Sequence, residues 1–212
     1  MKELENLLPK TAEVLTKLAK FELLQKFTFV GGSALALSLA HRLSEDLDLF
    51  TWEAELELDA IFEVLNDEKF ANYQLTSSSK RQVDCMLEGV KVTFFANNWA
   101  ELSARSHLFD NLYVADLQTL VVMKVNTLFL RAKFRDYYDL YVLNKQQFSL
   151  QEMYALSTKK IKNLHLSLFQ RALLFTDDIA DENIAHLSPK YPVNLKQIAK
   201  HFENEIKKQN KK

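Results

Sequence analysis

The stretch Phe27-Thr-Phe-Val-Gly-Gly-Ser-Ala-Leu-Ala-Leu-Ser-Leu-Ala-His-Arg-Leu-Ser-Glu-Asp-Leu-Asp-Leu-Phe50 decides the fold. Phe27 to Val30 is a β-type run that stops at Gly31 and Gly32, and Ser33 opens the apolar stretch Ala34 to Ala40. This order reads as strand, tight turn, helix. Asp46-Leu-Asp48-Leu-Phe50 then alternates polar and apolar residues, the period of a second strand. Two apart on a strand, Asp46 and Asp48 face the same side. Like charges held that close share a cation, and Mg²⁺ takes one or two carboxylates together with substrate phosphates. A Gly-Gly-Ser turn lets the backbone approach a ligand and aims N–H groups at it, which suits phosphate. Either feature alone is common on solvated edges and simple turns; their succession points to a site. Neither Gly-x-x-x-x-Gly-Lys nor Gly-x-Gly-x-x-Gly occurs in the chain, so this is neither a P-loop nor a dinucleotide fingerprint.

Working outward, residues 3–24 space their leucines at helical intervals, interrupted near Pro9, and predict one or two amphipathic helices. Leu56 to Phe70 also reads as helix. Gln82 to Leu87 and Val90 to Phe95 are β-type runs joined at Glu88-Gly89, a hairpin signal. From Leu117 the character changes to long helices: Leu117 to Leu130, Asp136 to Asn144, and Leu150 to Phe175. The fold class expected is α+β, with a mixed α/β core over residues 1–115 and a helical part over 116–212. No internal repeat or low-complexity tract interrupts either.

Composition narrows the function classes. The 212 residues are 48% apolar and carry 27 Lys+Arg against 28 Asp+Glu, a formal charge of −1. Overall charge therefore gives no case for nucleic-acid or membrane binding. The single cysteine, Cys85, excludes an internal disulfide and a multi-cysteine zinc site, and reads as core. No basic-then-apolar leader and no span of about 18 apolar residues occurs. The expectation is a cytoplasmic protein that does not enter the membrane. The segment from Pro189 holds seven Lys and two Glu, either an RNA-phosphate contact or a solvated terminal helix.

The Phe29–Phe50 segment resembles the first motif of the AbiEii/AbiGii nucleotidyltransferase-like family, within the DNA polymerase β-type superfamily. Val114-Ala-Asp-Leu-Gln-Thr-Leu-Val-Val-Met-Lys124, through Arg131 to Arg135-Asp136-Tyr-Tyr-Asp139-Leu-Tyr141, resembles the second. The resemblance implies a polymerase β-like core, a mixed sheet flanked by helices, followed by a helical part. It also implies Mg²⁺ or Mn²⁺ on Asp46 and Asp48, an NTP held by Gly31, Gly32, Ser33, Lys124 and Arg131, and a catalytic role for Asp136. The implied reaction moves a nucleoside monophosphate to a hydroxyl, of a tRNA 3′ end or of a protein. The implied biology is the toxin of a toxin–antitoxin or phage-defence pair with a cognate antitoxin. The alternative is a non-catalytic nucleotide-binding or interaction module, since Thr93 stands where many superfamily members place a third metal carboxylate; Asp84, on the neighbouring run, is a poor substitute for it.

The choice between Asp136 and Asp139 stays open in the sequence. On a continuous helix of about 100° per residue, Arg131, Arg135 and Asp139 share Lys124's side, whereas Asp136 lies about 120° away. A break near Arg131 to Phe134 would instead rotate Asp136 towards Lys124. An Arg135–Asp139 pair on a solvated face is the structural alternative.

Overall fold

The computed structural model describes residues 4–97, 104–180 and 182–209. The chain divides into two compact units, Met1–Thr119 and Leu120–Lys212.

The first unit is built on one mixed seven-stranded sheet of order β3-β4-β5-β2-β1-β7-β6. Helix α1 (Pro9–Leu18) and a 3₁₀ turn (Glu22–Lys26) lead into β1 (Thr28–Val30). Helix α2 (Gly31–Leu39) follows β1 without a linking residue, and β2 (Leu47–Thr51) returns antiparallel to β1. Then come α3 (Leu58–Leu65), β3 (Tyr73–Ser78), β4 (Gln82–Leu87), β5 (Val90–Ala96), β6 (Arg105–Phe109) and β7 (Leu112–Ala115). β2 pairs parallel with β5, and β1 parallel with β7; the remaining neighbours are antiparallel.

Alternation explains which sheet face is core. Leu47, Leu49, Val83, Cys85, Leu87, Val92 and Phe94 are buried, whereas Asp48, Phe50, Gln82, Asp84 and Met86 between them stay half-exposed. The core face thus carries the hydrophobic stabilisation, and the half-open face is left for polar chemistry. Cys85 lies in the core, and burial, with the Asp84 charge beside it, pushes its thiol up to about 12. It is therefore inert as a nucleophile.

Several elements differ from expectation for identifiable reasons. Pro9 starts α1 at its first position rather than interrupting a helix, where its missing N–H is harmless. The glycine pair is not a turn before the helix but its first two residues. β2 begins at Leu47, so Asp46 lies one residue outside the strand. The helix read over Leu56 to Phe70 contracts to α3. β3, β6 and β7 carry no clear period: β3 is exposed along almost its whole length, and β6 is an exposed edge.

The second unit is helical. Helix α4 (Leu117–Leu130), which starts just before it, is followed by α5 (Phe134–Gln146), α6 (Leu150–Thr158), α7 (Leu166–Leu174) and α8 (Leu195–Gln209). The expected single helix from Leu150 to Phe175 is two, because Asn163 takes a positive φ of 60° and the His165 side chain caps α7 through Leu168 N–H. α8 is anchored by Leu195, Ile198, Phe202 and Ile206, which fall on one face at helical spacing and are buried. Lys200 and Lys207 pair with Glu203, and Lys208 with Glu205, on its exposed side.

Glu88 ties the β4–β5 hairpin to α1. At the turn with φ 49°, its side chain is 5% exposed and accepts from Ala71 N–H at 3.0 Å, Lys10 Nζ at 2.9 Å and Lys17 Nζ at 2.9 Å. The Ala71 N–H and the two ammonium groups hold its carboxyl down from 4.5 to about 2. A carboxyl depressed on folding stabilises above its unfolded value, and the stabilisation is lost as the pH falls from about 4.5 towards 2. Glu88→Gln is expected to lower unfolding free energy by about 1–3 kcal/mol at neutral pH. In urea unfolding across pH, that deficit should shrink below about pH 4.5; a constant deficit would contradict the assignment.

Candidate active site

The first cluster forms where β1 runs into α2. Antiparallel register sets Asp48 opposite Val30, the residue before Gly31. Gly31 has φ +75°, and a Cβ there would overlap Asp48 Oδ2 and stand 2.9 Å from Asp48 Cγ. Glycine is required twice over, by backbone conformation and by the carboxylate lying on its Cα. The N–H groups of the first turn, including those of Gly31, Gly32 and Ser33, have no intrahelical acceptor, so the helix opens with donors and a partial positive charge.

The loop from Ala40 to Asp46 is fastened from three sides. Ser33 is buried, and its hydroxyl bonds Ser44 Oγ at 2.8 Å and the Asp46 carbonyl. The N-terminal segment bonds Ser44 through Leu8 N–H at 2.9 Å and Asn6 O at 3.0 Å. Thr11 Oγ1 donates to Glu45 O at 3.0 Å. Ser33 is thus the side chain that fixes Asp46 relative to α2, a role that the motif alone did not disclose.

Further along the same sheet face, Thr93 is the in-register neighbour of Asp48 on one side and of Asp84 on the other. Thr93 Oγ1 donates to Asp84 Oδ1 at 2.8 Å, while Asp84 Oδ2 accepts from Ser77 Oγ at 2.8 Å and Gln82 Nε2 at 2.6 Å. Burial opposes ionisation of Asp84, but the hydrogen bonds from Thr93, Ser77 and Gln82 outweigh it and hold the carboxyl below its ordinary value.

The second cluster belongs to the helical unit. α4 ends at Leu130, Ala132 takes φ 32°, and α5 starts at Phe134. Lys124 Nζ lies 3.0 Å from Asp136 Oδ1 and 2.8 Å from Asp139 Oδ2, with both carboxylates buried. The break rotates Asp136 towards Lys124, and Asp139, three residues on along α5, reaches the same ammonium. Asp136 Oδ2 also accepts from Lys133 N–H at 3.1 Å, in the first turn where acids are favoured. Arg131 is exposed, with Nη2 3.9 Å from Asp136 Oδ1. Arg135 pairs with Glu182 at 3.0 Å, and Asp139 is buried rather than on a solvated face.

The Asp48 carboxylate, against a backbone position that carries no Cβ, is a donor that suits a hard divalent cation, and Asp46 stands two residues before it in the chain. Among the described residues no group of three or more His, Cys, Asp or Glu side chains gathers. A Mg²⁺ ion held there would take its remaining ligands from water and substrate phosphates.

The family model for the nucleotidyl transferase AbiEii toxin of type IV toxin–antitoxin systems matches residues 13–212. The chain belongs to this family and is a nucleotidyltransferase toxin by that membership. It is 25% identical over 197 residues to the Aquifex aeolicus (strain VF5) protein aq_aa25, covering 92% of this chain and 93% of that one. Its fold is similar to that of MenT4, a nucleotidyltransferase toxin from Mycobacterium tuberculosis H37Rv, with a TM-score of 0.56 and 18% identity over 89% of this chain and 81% of that chain. The polymerase β-like α+β fold is as the sequence motifs implied. Among the described residues no helix is long and apolar enough to cross a membrane.

Removing the ammonium from the second cluster leaves two buried carboxylates facing each other. Lys124→Met is expected to destabilise the protein by about 3–5 kcal/mol in chemical denaturation. Adding Asp139→Asn should recover part of that loss; equal stability of wild type and Lys124→Met would show that the cluster is not a coupled buried network.

Proposed function

We propose that the protein transfers a nucleoside monophosphate from an NTP to a hydroxyl acceptor, with Asp46 and Asp48 as the carboxylates of a Mg²⁺ or Mn²⁺ site. The observation that carries this reading is the Asp48 carboxylate seated on the bare Cα of Gly31 at the start of α2. That arrangement sets an acid beside a row of backbone donors, a pairing that would suit a cation and a phosphate together, with Asp46 two residues away in the chain as the second acid.

The first-turn N–H groups of Gly31, Gly32 and Ser33 hold triphosphate oxygens, and the Ser33 hydroxyl keeps Asp46 in place through its carbonyl. Lys124, held between Asp136 and Asp139, is assigned to phosphate binding, with the exposed Arg131 as a second cation. Asp136 is the positioning acid of that pair. A divalent cation bound at Asp46 and Asp48 would supply neutralisation of charge on the triphosphate. The acceptor oxygen attacks the α-phosphorus, the bond to the bridging oxygen breaks, pyrophosphate leaves, and the acceptor proton passes to a base or to solvent. A tRNA 3′ hydroxyl and a protein hydroxyl are the two candidate acceptors. Family membership supports a toxin held in check by a cognate antitoxin, in a toxin–antitoxin or phage-defence setting. A cytoplasmic location follows from that role.

Asp48→Asn keeps the shape and removes the charge. Incubated with α-labelled NTP and a total tRNA pool, wild type is expected to label the acceptor and Asp48→Asn to lose at least about a hundredfold in rate, the scale of one removed electrostatic contact. Undiminished transfer by the variant would remove Asp48 from the site. Nucleotide binding without transfer by wild type to any acceptor would favour the non-catalytic module.

A further inference from the structure

The helical unit carries an open recess of about 570 Å³ between α5 and the start of α8, lined among others by Tyr141, Asn194, Lys196, Lys200, His201 and Asn204. Lys196, Lys200 and Asn204 recur every fourth residue and form one exposed stripe of α8. The opposite wall is aromatic. Tyr141 meets His201 edge-on at 4.8 Å and Tyr191 at 5.9 Å between ring centroids. Lys145 Nζ stands 5.8 Å from the Tyr141 centroid and 5.1 Å from that of Tyr191, and Lys190 Nζ lies 5.9 Å from the Tyr191 centroid.

Elsewhere in the chain exposed lysines pair with acids, Lys20 with Asp110, Lys26 with Glu57 and Lys80 with Glu55. Around the recess Lys200 is met by Glu203 at 2.8 Å, but among the described residues Lys145, Lys190 and Lys196 have no acidic partner. Ring faces hold an ammonium without neutralising it, so the tyrosines order Lys145 and Lys190 and leave their charge for a ligand. His201 adds no charge at pH 7. Burial, with Lys145 and Lys208 near it, holds its imidazole below the ordinary value against the opposing pull of Glu205.

A chain of formal charge −1 thus gathers unneutralised ammonium groups at one recess. The ligand chemistry that fits is a phosphodiester backbone, whose single charges are met one at a time by lysines. A recess with an aromatic wall suits the unstacked bases of a single strand, whereas a DNA duplex calls for an element that projects into its groove. The amides of Asn194 and Asn204 offer hydrogen bonds to base edges and to the 2′-hydroxyls that mark RNA. We infer that this face of α5 and α8 is a binding surface for single-stranded RNA, with Lys145, Lys190 and Lys196 as its phosphate contacts. The surface lies within the helical unit and needs neither the metal nor the NTP of the catalytic reading.

The test is fluorescence anisotropy of an end-labelled, mixed-sequence RNA oligonucleotide with the purified full chain, in EDTA and without nucleotide, over about 50–200 mM salt. Each phosphate contact to a single strand adds about 0.7 to the fall of log K with log salt. Lys145→Ala/Lys190→Ala/Lys196→Ala is expected to flatten that slope by about 2 and to weaken binding about tenfold or more at the low-salt end. Lys20→Ala/Lys26→Ala/Lys80→Ala removes the same charge from paired lysines of the first unit and should keep the wild-type slope. Single-stranded DNA of the same sequence and duplex DNA should both bind more weakly than the RNA. Equal flattening in both triple variants, wild-type binding by the first of them, or no RNA binding by wild type would overturn the inference. So would either DNA bound as tightly as the RNA, or release of the RNA by polyglutamate at equal charge, which would point to an acidic protein partner instead. Circular dichroism controls the fold; should the first triple variant not fold, Lys196→Ala alone decides, with a slope lower by about 0.7 expected. Because metal and NTP are absent, failure here leaves the catalytic reading standing, and failure of that reading leaves this surface standing.

Discussion

The antiparallel pairing of β1 with β2 places the Asp48 carboxylate on the Cα of Gly31, and much of the first unit follows from that contact. An L side chain at position 31 would fail on backbone conformation, at about 1–2 kcal/mol for the left-handed region, and would collide with the carboxylate besides. Because the glycine belongs to the helix, α2 begins immediately at the strand end, and the N–H groups of its first turn, which have no intrahelical acceptor, lie next to the acid. The return loop then has little freedom. Ser33, Ser44 and the N-terminal segment fasten it, so Asp46 is held by its backbone while its side chain stays half-exposed.

The molecule handles its carboxylates in two different ways. Half-exposed Asp84 is satisfied chiefly by neutral donors from three residues, with Lys91 adding a smaller charge effect, and its position on the sheet is defined by them. Asp136 and Asp139 are instead buried around one ammonium. Desolvation makes such a network a poor source of net stability but an unforgiving one to break. Its effect is positional: a long lysine side chain with little intrinsic order is held at one point by two buried acids on α5, and the cost of ordering it is met in folding.

Local signals in the sequence carried most of the first unit. The strand–helix–strand order around the glycine pair, the Glu88-Gly89 hairpin and helices α4 and α5 were legible, because each depends on residues within a few positions of one another. β3 was not, since Gln, Thr and Ser residues exposed on an edge show no two-residue period. The β6–β7 hairpin carries a local signal as well, the Asp110-Asn111 turn between Phe109 and Leu112. The Leu-rich run from Leu150 to Phe175 concealed a break made without Gly or Pro, by Asn163 in the left-handed region. At the site, helical arithmetic posed Asp136 against Asp139, yet the Ala132 break lets both reach Lys124. The Thr93–Asp84 bond lay beyond sequence reading, because cross-strand register is a long-range property that no local pattern encodes.

The central claim is that Asp46 and Asp48 form a metal-dependent nucleotide site at the head of α2. The most direct measurement is the thermal midpoint of wild type and of the Asp46→Asn/Asp48→Asn double variant with each of the common NTPs, with and without Mg²⁺. A ligand that binds only the folded state raises the midpoint in proportion to its saturation. The account requires a Mg²⁺-dependent rise with at least one NTP in wild type and none in the double variant. An equal rise in both proteins, or no rise under any condition, would contradict it.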